Sequence, residues 1–174
     1  MPSAMRLIII LFVTLGDCPA VVDGPSGNRV TGVVYERGSG DATTPSPNAA
    51  VCILSRDKCD ETNQDGVCYI VLSSDIDKFD LVAKKHDFQS AQSRTTYTNQ
   101  KDPVKAERLT LEPEDPKSPN FRQIVDREIA ILQSVASPQL KKLIVGDLMN
   151  LSQRARTGDA AYIKEKLARL ALFP

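Results

Sequence analysis

The spacing of apolar and polar positions changes character once along the chain, at a proline-rich segment beginning near Pro113. Before that point the apolar runs are short. Val30–Tyr35 (VTGVVY) is a β-prone run, and ERGSGDATTPSPN after it reads as a long polar loop. Ala49–Ser55 (AAVCILS) predicts a second strand, the charged stretch RDKCDETNQDG turns the chain, and Val67–Ser73 (VCYIVLS) predicts a third. In Phe79–Lys85, Phe79, Leu81 and Ala83 alternate against Asp80, Val82 and Lys84, which predicts a fourth. TTYT around Tyr97 and Glu107–Glu112 (ERLTLE) supply the last two. Several short strands punctuated by turn residues predict an antiparallel β-sandwich.

Pro113–Asn120 (PEDPKSPN) is stiff and poor in hydrogen-bond donors, so it marks a boundary. From Phe121 onward the period becomes helical. Phe121, Ile124, Val125, Ile129, Leu132 and Val135 gather on one stripe, with Asn120 placed to cap it. Ser137 followed by Pro138 starts a second helix, carrying Leu140, Leu143, Ile144, Leu148, Met149 and Leu151. A third begins near Asp159 after a Gly158 turn. Each helix has a single apolar stripe and needs a partner, so the tail packs on itself or on the sandwich. An interaction arm for another protein chain is the functional alternative.

The N-terminus holds Arg6 and then an unbroken apolar run from Leu7 to Val13, too short for a membrane span and suited to a signal-peptide core cleaved after Ala20. A buried first strand is the competing reading. The expected plan is therefore a signal at 1–20, a linker at 21–27, a sandwich at 28–113, a proline-rich linker at 114–119 and a helical appendage at 120–174. Such a protein is secreted, periplasmic or held at the cell envelope, with no transmembrane segment after signal removal. Cys52, Cys59 and Cys68 then remain, and an oxidising compartment implies one disulfide and one free thiol. Sequence leaves the pairing open.

Composition adds little. The 174 residues are 41% apolar with a formal net charge of zero, enough for one cored domain and giving no reason to expect nucleic acid. Residues 21–119 lean acidic and 120–174 lean basic, which either helps the two parts dock or is plain surface.

Candidate chemistry is sparse. Glu61, Asn63 and Asp65 before Gly66 imitate a calcium loop, but the twelfth position is Leu72 and the flanks read as strands. Thr62, Asn63, Asp65 and Gly66 are better explained as the turn they make. The single histidine, His86, ends a strand, so neither Cys–His catalysis nor zinc has a local signal. Tyr35, Tyr69 and Tyr97 are candidate ligand contacts for a glycan, or ordinary strand residues. No catalytic set converges and no cofactor or metal is expected.

Taken together, Thr31–Gly32–Val33–Val34, Asn48–Ala49–Ala50–Val51, the turn Thr62–Asn63–Gln64–Asp65–Gly66, Leu81–Val82–Ala83 leading to Asp87–Phe88, and Leu109–Thr110–Leu111–Glu112–Pro113 resemble the motifs of the carboxypeptidase regulatory-like domain. The resemblance covers about residues 28–113 and implies a Greek-key, transthyretin-like sandwich. It also implies a non-catalytic domain of secreted or cell-surface proteins that aids folding, adhesion or binding, sometimes of carbohydrate. Two positions depart from it: Cys68 stands where an inward aromatic is usual, and Asp87 replaces a glycine. The expected function is a non-enzymatic exported module in a structural or protein-interaction role. Glycan binding is the alternative, and a hydrolase with unrecognised carboxylates is the remaining one.

Overall fold

The structure, a computed structural model, describes residues 28–72, 78–96 and 107–172. The signal and linker readings at 1–27 and the candidate contact Tyr97 lie outside the described residues. Among the described residues, eight strands precede three helices: β1 (Asn28–Arg37), β2 (Thr43–Pro45), β3 (Ala50–Ile53), β4 (Cys59–Glu61), β5 (Val67–Leu72), β6 (Lys78–Lys84), β7 (Ala91–Thr96) and β8 (Glu107–Leu111), then α1 (Phe121–Ser134), α2 (Pro138–Arg154) and α3 (Thr157–Arg169). β2 and β4 fall in stretches that read as loop. Both are three residues long and polar (TTP and CDE), so only ladder pairing with a neighbour reveals them.

The strands form two four-stranded sheets. In the first, β1 is central, with β5 and then β2 antiparallel along one side and β8 along the other. The second runs β4-β3-β6-β7, antiparallel throughout. The expectation of a wholly antiparallel sandwich fails at one pair: β8 lies parallel to β1. The chain reaches β8 from β7 in the opposite sheet, so no hairpin imposes an antiparallel sense on it.

Strand sequence and strand environment agree. On β5, Cys68, Ile70 and Leu72 are buried while Tyr69 and Val71 are exposed, the alternation of a sheet with one wet face. β3 is buried at every position, as a strand covered on both faces must be. Val51 and Ile53 join Phe79, Leu81 and Ala83 in the core between the sheets. Cys52 and Val82 instead face a second core built from the helices, among them Val125, Leu132, Ile144, Leu148, Ile163 and Leu167. Fully burying each Leu, Ile or Val contributes about 1.5–3 kcal/mol, so this outer layer is a substantial part of the fold.

The helical tail is thus the third layer of the domain. Beyond the shared apolar surface, the Ala136 N–H donates to the Leu54 carbonyl at 2.9 Å, tying the α1–α2 connection to the end of β3. Ser137 caps α2, its hydroxyl accepting from the Leu140 N–H at 3.4 Å. Two helix starts differ from expectation. The Asn120 side chain makes no capping bond, and only its backbone carbonyl accepts, from Ile124 at 3.0 Å. α3 begins at Thr157, so Gly158 sits in its first turn and not in a preceding loop.

Candidate functional site

The Thr62–Gly66 segment is held by its own polar atoms. The Asn63 side-chain oxygen accepts from the backbone N–H groups of Asp65 and Val67, both at 3.0 Å. Gly66 has φ 73°, and a Cβ there would lie 2.4 Å from the Val34 carbonyl oxygen, so the position admits glycine alone without strain. Thr62 is buried; its hydroxyl accepts from the Ala49 N–H at 2.9 Å and donates to the Ser46 carbonyl at 2.5 Å. Thr62→Val keeps the shape and orphans both backbone groups. It should lower stability by about 1–3 kcal/mol, read as a lower urea midpoint with an unchanged m-value.

Cys52 is bonded to Cys59 directly across the β3–β4 ladder, and Cys68 is the free thiol among the described residues. Cys68 packs in the other sheet against Gly32, where an added Cβ would meet its sulfur at 2.8 Å. Burial pushes the thiol up to about 12, the Gly32 backbone hydrogen bond opposing, so it is an inert core group.

The disulfide has a second consequence. Asp60, next to Cys59, accepts from the Tyr69 backbone N–H at 2.9 Å, and Lys58 on the other side donates to the Val71 carbonyl at 3.2 Å. These are the outward main-chain groups of β5, an edge strand, so two charged side chains cover the edge.

Among the described residues, the outer face of the first sheet carries two of the exposed large apolar side chains, Tyr69 and Val71. Thr31 lies opposite Tyr69 and Val33 opposite Val67, with Tyr35 two residues further along β1. Tyr69 is 52% exposed and Val71 51%. Tyr35 shares this face, but the Arg108 guanidinium lies over its ring, 4.3 Å from the centroid.

A polar cluster missed by sequence reading occupies the junction of the second sheet with the helices. Lys84 has the same strand parity as Val82, so the helical layer buries it completely. Its ammonium donates to Glu114 Oε1 at 2.8 Å and to the Phe88 carbonyl, and lies 3.0 Å from Asp147 Oδ2. The last contact is an ion pair without hydrogen-bond alignment, leaving Asp147 Oδ2 and Glu114 Oε2 unbonded. Glu128 accepts from the Ser90 N–H and hydroxyl, both at 2.7 Å. His86, largely exposed as expected of a strand end, reaches Asp147 Oδ1 at 2.6 Å. Arg154 pairs with Asp87 at 3.1 Å and stands 4.0 Å from Glu114 Oε2.

Burial pulls the Lys84 ammonium down, but Glu128, Glu114 and Asp147 more than reverse it, holding the group above the ordinary lysine value. Burial likewise pushes Glu114 up, against the pull of Lys84. One ammonium serving three carboxylates makes Glu114 the acid that takes a proton readily. A lysine kept charged is no nucleophile, and the arrangement docks the helices onto the sheet. The signal in the sequence was slight: on the Lys84 side of β6 only Val82 is apolar, beside Lys78 and Asp80. Among the described residues no group of three or more His, Cys, Asp or Glu side chains is placed to hold a metal ion, and no helix is long and apolar enough to cross a membrane.

No protein-family model matches the chain, and no curated protein matches it. Among solved structures it is similar to the Caf1A usher C-terminal domain, whose conserved surface hydrophobic clusters are important for F1 antigen assembly, at 17% identity and TM-score 0.32, over 51% of this chain and 100% of that one. It is also similar to a chain of the Coh3ScaB–XDoc_M2ScaA type II cohesin–X-dockerin complex from Acetivibrio cellulolyticus, at 11% identity and TM-score 0.37, over 70% and 95% of the two chains. Likenesses this distant carry no argument about activity or partners.

Proposed function

We propose that this chain is an exported, non-enzymatic β-sandwich module of the carboxypeptidase regulatory-like kind, acting in a protein-interaction role through the outer face of its first sheet. The observation that carries it is the adjacent exposure of Tyr69 and Val71 on a face continued by Val33 and Val67. Exposed aromatic and aliphatic side chains grouped on one rigid surface favour protein contact. The Cys52–Cys59 disulfide supports an oxidising compartment. Asp87 supports the family reading: it stands where that family has glycine and adopts φ 64°, a left-handed conformation that Asp tolerates better than most residues. Against a glycan site, Tyr35 has its ring covered by Arg108, which leaves Tyr69 as the free ring among the two described candidates.

Because the tail is part of the domain, truncating it would unfold the protein, and surface variants make the better test. The Tyr69→Asp/Val71→Asp variant should fold normally and lose at least tenfold of the affinity for whatever protein the wild-type chain captures from the native extract. Equal capture by variant and wild type sinks the reading, and a glycan-array signal abolished by the same variant replaces it with carbohydrate binding. An intact Met1 on soluble protein from the native host removes the export element.

A further inference from the structure

The outer face of the first sheet has a charged end as well as an apolar one. Val30 and Val34 are fully buried, so Thr31, Val33 and Tyr35 point outward along β1. Cross-strand partners share a face. Val67 and Tyr69 on β5 therefore point outward, and so does Arg108 on β8, which lies opposite Val33. Arg108 is exposed. Its side chain crosses β1: the guanidinium lies over the Tyr35 ring, 4.3 Å from the centroid, and donates to the Thr43 hydroxyl of β2 at 3.2 Å. The ring below and the hydroxyl beyond fix the height and the direction of the group.

The other charges on and beside this face are already engaged. Arg37 donates to Glu112 at 2.7 Å and to Asp41 at 2.8 Å. At the β5 margin, Asp60 accepts from the Tyr69 N–H and Lys58 donates to the Val71 carbonyl. Arg108 differs. A guanidinium carries five N–H donors in a fixed fork, and the Thr43 bond is the one that Arg108 makes among the described residues. No carboxylate among the described residues pairs with it.

Tyr69 sits opposite Thr31, and Thr31 and Tyr35 are four residues apart on β1. The apolar and cationic ends are therefore about 13 Å apart, at about 3.3 Å per residue, with Val33 and Val67 between them. A guanidinium already stacked and aimed gives up little side-chain freedom on gaining a ligand, and its open fork matches a carboxylate. Aromatic and arginine anchors are the side chains that dominate protein interfaces.

We infer that the partner of this face is a protein bearing an acidic residue set apart from an apolar one; this rests on the interaction role proposed above. The partner's apolar side chain packs on Tyr69 and Val71, and its Asp or Glu carboxylate seats on the open fork of Arg108. Arg108 is then the specificity-determining residue of the face. A partner without the carboxylate would cover the guanidinium and leave its donors unpaired.

The test selects binders to the full chain from a displayed library of random short peptides. Selected sequences should carry Asp or Glu about four residues from an aromatic or aliphatic residue, the spacing an extended segment needs. Replacing that acid by its amide should weaken binding about tenfold or more, and Arg108→Gln should cost the same. Combining the two changes should cost no more than either alone, which places the carboxylate on Arg108. The acid-to-amide change leaves the protein untouched, so its effect is independent of how the variant folds. Binders that depend on Tyr69 and Val71 but show no acidic preference, or that bind Arg108→Gln equally well, overturn this inference and leave the interaction face standing. Selection of nothing that Tyr69→Asp/Val71→Asp disrupts overturns both. Binding to phosphatidylglycerol vesicles that Arg108→Gln abolishes, with no acidic peptide selected, assigns the face to a lipid surface and overturns it too.

Discussion

Lys84→Met should cost the fold about 3–5 kcal/mol, the expected penalty for removing one partner of a buried ion pair. Methionine fills nearly the same space, so the loss is electrostatic: Glu114, Glu128 and Asp147 would face one another with the ammonium gone. The pH dependence identifies the cause. In wild type, the folded-state Lys84 value lies above the unfolded one, so its stabilisation is full below the ordinary lysine range and lost as pH rises through the raised value. Glu114 shifts stability in the same sense, at a lower pH. Its folded value is also raised, so the folded state holds the proton more tightly and this group favours folding as pH falls through the carboxylate range. In Lys84→Met the three acids lose their counter-charge, and the deficit should shrink markedly on acidification as Glu114, already raised by burial, takes a proton. Urea midpoints for both proteins, at neutral pH and near the lower end of the carboxylate range, measure this directly. A Lys84→Met deficit under 1 kcal/mol, or one independent of pH, would show that the cluster does not hold the helices to the sheet. Adding Glu114→Gln to Lys84→Met should recover part of the loss, because one buried charge disappears.

Replacing Cys52 and Cys59 by alanine should cost about 2–3 kcal/mol, toward the low end for disulfides because the bridged residues are only seven apart. A larger effect should appear in association. Lys58 and Asp60 flank Cys59, and once that anchor is gone they no longer hold their places over Val71 and Tyr69. β5 then presents an uncovered edge beside two exposed apolar side chains, the combination natural sheets avoid. Light scattering should show concentration-dependent oligomers for the double variant and for reduced wild type, and Val71→Lys should suppress them. A monomer at every concentration would mean that the edge is guarded by something other than the disulfide-held hairpin.

Much of the candidate site was legible because it rests on short-range chemistry. The turn at Asn63–Gly66 uses an Asx side chain to bond amides two and four residues on, and Gly66 takes a positive φ. The exposed position of His86 follows from its place at a strand end. Its bond to Asp147 does not, since sixty-one residues separate them. Lys84 was not singled out for a related reason: it shares its side of β6 with Asp80, and nothing local says that helices arrive to cover that side. Tyr35 stands with Tyr69 as a candidate ligand contact in the sequence, yet Arg108 from β8 occupies its ring face.

Residue periodicity, turn residues and caps act within a few positions of the chain. Two strand-rich sheets, three amphipathic helices and the Ser137 cap therefore follow from the order of residues alone. Pairing across space is a different matter. The parallel sense of β8, the choice of Cys59 over Cys68 as the partner of Cys52, the covering of β6 by the tail and the three acids around Lys84 depend on which distant segments meet. Burial and charge compensation are properties of the packed neighbourhood, so these features come into being only when the layers close.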